Sequence, residues 1–466
     1  MTETLDLADT ALNECDREPI HIPQSIQPHG FMLVLDLQSL TIRQGAGAIE
    51  ELTGRKVWID RTVADVLGDV ADRAVRAMAA HQEAGFACRW RATNRLEYDV
   101  VVHRAPGTTA GAINDLMIIE VEQSSQQARL GVDLIASLDA AGAALERAVT
   151  IQTVCERAAD AFRRLTGFDR VMIYRFVDND AGCVVAEDRD PALDSFLNHH
   201  FPASDIPRQA RALYVRNRAR VIPDTGYRAA PLRPEGFEDL DLSDVAVRSV
   251  SPVHLEYLRN MGVGASASVS IVKEGLLWGL IACHHRTPRL MPRDIRIAAV
   301  ALAGALARQI RAREDALRYR ERLTLRAGED ALRPALFDAD APLGVLTDRI
   351  DDVQRMFGAD GFAIVAAGSI QCSGATPDEA PLRRFAAWLA TREEALFATR
   401  ELSRDWPLAP LFGSFAGVLA VRLPGTDATL LWLRREQIEE IEWAGNPHKG
   451  IGHDPQATLT PRASRP

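Results

Sequence analysis

Four separated stretches carry side chains able to do chemistry. Residues 199–214 read His199-His200-Phe201-Pro202-Ala203-Ser204-Asp205-Ile206-Pro207-Arg208-Gln209-Ala210-Arg211-Ala212-Leu213-Tyr214. Pro207 biases Ile206 away from the α region, so the chain is expected to stay extended up to the proline and turn helical after it. Asp205 then lies outside the helical ladder and offers a carboxylate and a main-chain carbonyl to a neighbour. In the second stretch, Ser251-Pro252 suits a helix start, and His254, Tyr257, Leu258 and Met261 share one helical face. A histidine there serves either as a ligand-facing group or as a satisfied core residue. The third stretch alternates strictly, placing Ser266, Ser268 and Ser270 on one face, and residues 276–285 end in Cys283-His284-His285. Alternation sends His284 and His285 to opposite faces, which argues against a shared metal site. The fourth is Cys15, a thiol in an irregular acidic segment, whose reactivity depends on thiolate character. No nucleophile–base constellation or phosphate loop accompanies these groups, so neither catalytic nor metal-binding residues are expected.

These groups need elements to hold them. The chain has 466 residues, enough for about three domains at roughly 150 residues each. A hydrophobic fraction of 47% with 25% charged residues is that of a soluble globular protein. A net charge of -10 argues against a nucleic-acid surface. No apolar run reaches membrane-spanning length, and the acidic N-terminus lacks a secretory n-region. Six scattered cysteines without a CxxC pair point to the reducing cytoplasm.

Taken in order, residues 15–23 carry two prolines and read as extended chain. Strands are expected at 31–35, 40–42, 97–102 and 113–121 around an Ala-rich helix at 70–80, an α+β domain over 1–125. Residues 126–167 turn helical through Leu130, Val132, Leu134, Ile135, Leu138 and Ala141. The strand at 168–176 puts Met172 and Tyr174 on one face, and Val171, Ile173 and Arg175 on the other. Further strands are expected at 184–186 and 221–223. A helix over 293–326 has Ile295, Ile297, Val300, Leu302, Leu306 and Ile310 as its buried side. A third α+β domain follows, with strands at 361–365, 415–421 and 429–434.

Cys15 ahead of Ile22-Pro23 and Ile26-Gln27-Pro28-His29-Gly30, the 201–207 stretch, Ser251 to Leu258, and Trp278 to His285 appear in one order. In that order they resemble the photosensory module of bacteriophytochromes, the biliverdin-binding kind of phytochrome. The resemblance implies an α+β fold of three tandem sensor domains (PAS, GAF and a truncated PHY) with antiparallel sheets and a long connecting helix. The domains are placed at 1–125, 126–312 and 313–466. It implies a red/far-red photoreceptor that binds biliverdin covalently and signals by ring D isomerisation and refolding of the PHY tongue. The alternative is a GAF-type small-ligand sensor without photochemistry.

On this resemblance Cys15 forms the thioether to the pigment, with the N-terminal segment threading close to the GAF domain. The attachment position of plant and cyanobacterial members is Val253 here, which favours biliverdin over reduced bilins. Asp205, with Ile206 and Pro207, and His254 accept from the pyrrole N–H groups. Arg220 and Arg248 hold the two propionates, with Tyr214, Ser251, Ser266 and Ser268 as hydroxyl partners. Met172, Tyr174, Phe201 and Tyr257 surround ring D, and His284 bonds its carbonyl. Residues 443–449 and 461–464 resemble the two tongue arms, so Arg462, followed by Ser464, is expected to pair with Asp205. The family continues beyond this point, whereas the sequence ends at Arg465-Pro466. The expectation is therefore a PHY domain truncated within or just after the tongue, an incomplete sheet, no enzymatic output module, and a photoproduct that forms incompletely or decays fast. Family members pair along the connecting helix, so a homodimer is expected; the output or response-regulator partner is not readable, and neither nucleic acid nor membrane is expected.

Overall fold

The computed structural model describes residues 18–105, 116–124, 132–177, 181–236, 239–337, 342–437, 443–444, 452–453 and 459–460. Strand alternation builds its first sheet, five antiparallel strands in the order Ile42–Gly47, Gly30–Asp36, Leu116–Gln123, Glu97–Arg104, Gly85–Arg91. Phe31, Leu33 and Leu35 enter the core beneath the helix Asp69–His81. Met32 and Val34 point the other way and are equally buried, against Leu240, Leu242, Val245 and Val247. A sheet covered on both faces explains why this strand is a continuous apolar run.

The local expectations need correction at several ends. Residues 18–22 turn rather than run extended, with Ile20 N donating to Glu18 O and Ile22 N to Pro19 O. The strand expected at 40–42 starts only at Ile42, because Leu40 adopts φ 53 in the preceding turn. The edge strand Gly85–Arg91 was not anticipated, since its half-exposed pattern carries little apolar signal.

In the second sheet six antiparallel strands run Ala219–Ile222, Ala265–Lys273, Leu276–His285, Arg170–Phe176, Gly182–Arg189, His200–Phe201. One face, carrying Val171, Ile173, Ala267, Val269, Ile281 and Cys283, packs on the helix Ile151–Thr166. That helix starts at Thr150, whose side chain accepts from Thr153 N, and stops at Gly167 in the left-handed region. The connecting helix spans Arg293–Phe337, beyond the expected end at 326 and through Pro334. Its buried side is Ala299, Leu302, Ala303, Leu306 and Ile310, whereas Ile297, expected to be buried, is 52% exposed.

By contacts the chain divides into two compact units, residues 1–313 with 441–466, and residues 314–440. The second unit holds a five-stranded antiparallel sheet in the order Ile370–Gly374, Gly361–Val365, Thr429–Arg435, Phe415–Arg422, Leu396–Thr399. Phe385, Trp406 and Phe412 fill its core. All five strands lie upstream of residue 443, so this sheet is built without the segments 443–449 and 461–464. The strands Ile370–Gly374 and Leu396–Thr399 were not anticipated.

Candidate functional site

The polar residues singled out by type converge on the face of the second sheet opposite its helix-packed core. Strand register sets Ser266 opposite His284, Ser268 opposite Arg220, and His284 opposite Arg170. Met172, Tyr174 and Phe201 form a buried cluster with Phe196 and Leu280, and Ile206, Tyr214 and Met261 pack against it. Gly182 makes room for this cluster: a Cβ there would lie 1.7 Å from Cζ of Tyr174. The helix Pro252–Asn260 brings His254 and Tyr257 over the same space, their rings stacked with centroids 6.2 Å apart. Tyr257 Oη donates to Asp205 Oδ2 at 3.2 Å.

Two details of the expected geometry change. Ala203–Asp205 form a single 3-10 turn, with Asp205 N donating to Pro202 O at 3.0 Å, so only Ile206 and Pro207 are extended before the helix Arg208–Arg216. Ser251 precedes the helix start without capping it; its hydroxyl instead donates to Glu18 Oε2 at 2.9 Å. That bond belongs to a longer seam. Leu242 N donates to His21 O, Ser249 N to Ser25 O, and Gln27 Nε2 to both Val221 O and Arg248 O. The chain just after Cys15 therefore runs along the second domain beside the helix that carries His254.

The electrostatics of this space are unusual. Arg220 and Arg248 are 9% and 6% exposed, and among the described residues neither has a carboxylate partner. Arg220 spends its fork on the main-chain carbonyls of Ala246, Arg248 and Ser249. Burial, and then the charge of Arg248, bring its pKa down to about 9. Arg248 reaches the carbonyls of Leu242 and Ser243 only at 3.4 and 3.3 Å, and its Nε has no partner. His284 Nδ1 is likewise buried without a partner. Burial, followed by the charge of Arg170, takes His284 down to about 3, and burial, followed by Arg220, takes His254 down to about 4. Both imidazoles are thus neutral at pH 7, in a space that holds excess positive charge.

This has a measurable consequence. Below about pH 6.5 the unfolded chain protonates both histidines while the folded chain resists. Their contribution to stability is therefore expected to fall as pH drops from 6.5 toward 4 for His254 and 3 for His284. The raised pKa of His103, where the Glu120 carboxylate outweighs burial, partly offsets the loss. Urea midpoints between about pH 7.5 and about pH 5 are expected to fall less steeply in His284→Gln than in the native sequence.

Sequence reasoning missed several contributors. Glu187 pairs with Arg170 at 3.0 Å and, through Ser195 and Phe196 N, ties down the loop that carries Phe196. The guanidinium of Arg170 lies 4.3 Å from the Phe196 ring centroid. Near the end of the described chain, Trp443 bridges to His200, Ala444 N donates to His200 O at 3.0 Å, and Ala444 joins the Met172–Tyr174 cluster. Gly452–His453 and Leu459–Thr460 form a short hairpin whose second strand lies beside the helix Pro252–Asn260. Cys15, Arg462 and Ser464 lie outside the described residues.

Comparison with known proteins bears on this arrangement. Residues 15–124 match the PAS fold, 150–311 the GAF domain and 325–465 the phytochrome region. A bacteriophytochrome of Xanthomonas campestris pv. campestris is 38% identical over 97% of this chain and 73% of its own length. Cyanobacterial phytochrome B of Nostoc is 32% identical over 97% of the chain, which spans 62% of that relative's length. The crystal structure of a bacteriophytochrome from the photosynthetic bacterium R. palustris superposes with a TM-score of 0.84 at 34% identity, covering 97% of this chain and 92% of that one. With PAS, GAF and phytochrome-region domains in sequence and kinship along nearly its whole length, the chain belongs to the bacteriophytochromes.

Proposed function

We infer that the chain is a red/far-red light receptor that holds biliverdin in the space described above, attached through Cys15. The observation that carries this reading is the donor set: two buried guanidinium groups that have no carboxylate partner among the described residues, beside two neutral, half-buried imidazoles. Such a set suits a ligand with two carboxylates and a run of N–H and C=O groups, and poorly suits a simple cation. The unpartnered Arg248 Nε and His284 Nδ1 are the kind of orphaned buried atoms such a ligand satisfies. A bound bilin supplies visible absorption and a double bond that isomerises in light.

The residues do the rest. Arg220 and Arg248 hold the carboxylates with charge-assisted bonds, supported by the hydroxyls of Tyr214, Ser251, Ser266 and Ser268. Asp205 and His254 accept from N–H groups, Ile206 and Pro207 set the backbone at Asp205, and His284, kept neutral, donates to or accepts from the far end of the ligand. Met172, Tyr174, Phe201 and Tyr257 wall that end and exclude water. Asp205, shared with Tyr257, is the point at which the pocket meets the tongue, where Arg462 and Ser464 are its expected partners. A change at Asp205 then biases the tongue between two arrangements and reaches the connecting helix, along which two copies pair. In this reading the chain senses light and does not itself catalyse a reaction. Among the described residues no helix is long and apolar enough to cross a membrane.

The test is an absorption spectrum of the purified protein with biliverdin, before and after red light. A red-absorbing pigment whose spectrum shifts on illumination is expected. Colour that ignores light leaves a ligand sensor of the GAF type, and no colour at all removes the pigment from the reading.

A further inference from the structure

Two glutamates of the first sheet stand where alternation predicts a solvent-facing surface. Glu120 and Glu122 lie two apart on Leu116–Gln123, hence on one face, yet are 1% and 3% exposed. The cover is residues 240–247 of the second domain and the first turns of the connecting helix. Glu122 receives both prongs of Arg296, at 2.7 and 2.8 Å, with His29 Nε2 at 3.6 Å. Glu120 is engaged differently: its Oε2 accepts from Ala246 N at 2.7 Å and Val247 N at 3.5 Å, and stands 3.6 Å from His103 Nε2.

Ala246 is thereby clamped from both sides. Its N–H goes to Glu120 in the first domain, and its carbonyl accepts from Arg220 Nη1 at 2.8 Å. The next residue, Val247, gives its carbonyl to Gln27 N at 2.7 Å, and Arg248 follows directly. One carboxylate of the PAS sheet thus fixes the strip of main chain that holds Arg220 and presents Arg248.

We propose that Glu120 is a positioning residue for the two pocket arginines, acting from the neighbouring domain through the main chain of Ala246 and Val247. This rests on the reading of Arg220 and Arg248 as carboxylate anchors. The acceptor is strongest when Glu120 is ionised. Burial and the charge of Glu122 push its pKa up, His103 pulls it down, and the net direction is upward. His29, Asp99, Asp244, Arg220, Arg293 and Arg296 are the other charged or titratable groups around the pair. Protonation of Glu120 loosens the strip at Ala246.

Glu120→Gln and Glu120→Asp separate the requirements: Gln keeps an oxygen at the same reach, whereas Asp keeps the charge but withdraws the oxygen by one methylene. In the pigment-free full chain, amide exchange at Ala246 and Val247 is expected to stay within about threefold of native in Gln and to rise about tenfold or more in Asp. In a Cys15→Ser background, where binding is reversible, the native sequence is expected to prefer biliverdin over its dimethyl ester by about tenfold or more. Gln retains that preference and Asp loses most of it. A merely structural role weakens both ligands alike and leaves the ratio intact. An intact ratio in Asp, with or without faster exchange, overturns the proposal. A native sequence without any preference overturns the arginine reading instead, and the exchange rates then still decide whether Glu120 holds the strip. Should Asp fail to fold, the pH profile decides: as pH falls toward the raised pKa of Glu120, intrinsic-rate-corrected exchange at Ala246 is expected to rise more in the native chain than in Gln. Parallel profiles refute the assignment.

Discussion

Changing Cys15 to serine is expected to take covalent attachment of biliverdin from complete to undetectable, read as loss of zinc-dependent fluorescence on a denaturing gel, while non-covalent colour persists. The size of the effect follows from Cys88, Cys155, Cys183 and Cys283, whose burial makes them poor substitutes. Cys155 and Cys283 belong to the helix–sheet core on the far side from the pocket, and burial pushes both thiols up to about 12. Roughly one in 100,000 such groups is a thiolate at pH 7, against a few per cent of an ordinary exposed cysteine. Cys183 is also buried. Cys88 sits in the first sheet with its thiol raised by burial. The segment that follows Cys15 is bonded to the second domain through Glu18 and His21, which keeps that end of the chain near the His254 helix. A gel signal of native strength from Cys15→Ser takes the attachment role away from Cys15 altogether.

The pocket was legible wherever neighbours in the chain constrain one another. Strict alternation put Ser266 and Ser268 on one face and parted His284 from His285; the structure keeps His284, its Nδ1 buried, on the pocket face while His285 packs on Phe168 and Asp169. Ser251-Pro252 marked a helix start correctly, because proline's fixed φ is a local fact. What escaped is long-range. The Ser251 hydroxyl answers to Glu18, far away in sequence, and nothing around Ser251 hints at it. Nothing in the sequence shows that the fork of Arg220 also bonds the carbonyls of Ala246, Arg248 and Ser249. Glu120 and Glu122 drew no attention in the sequence, because a sequence pattern cannot see a second domain laid over a strand. Ile297 fits a helical stripe, yet the stripe that faces the core is built mostly of alanine and leucine.

Arg296→Met is expected to destabilise the first unit by about 3–5 kcal/mol, because it leaves the Glu122 carboxylate buried and unpaired. The pair is 9% and 4% exposed at the side chains, so solvent cannot take over the role of the guanidinium. Burial by itself raises the Glu122 pKa; the charge of Arg296 reverses this and holds it well below the usual carboxylate range. In the native chain Glu122 therefore contributes stability above its unfolded pKa near 4.5 and loses it as pH falls. Without Arg296 burial dominates, the folded chain favours the protonated acid, and the contribution becomes a penalty that grows as pH rises through and above 4.5. The gap between native and variant urea midpoints, at an unchanged denaturant slope, is thus expected to be widest near neutral pH and to narrow toward about pH 4. Adding Glu122→Gln to Arg296→Met removes the stranded charge and is expected to recover part of the loss, most at neutral pH. The histidines of the pocket titrate alike in all of these chains, so they drop out of the difference. A gap that is small, or that does not vary with pH, means water or another cation reaches Glu122, and the ion pair is then no strut between the PAS sheet and the connecting helix.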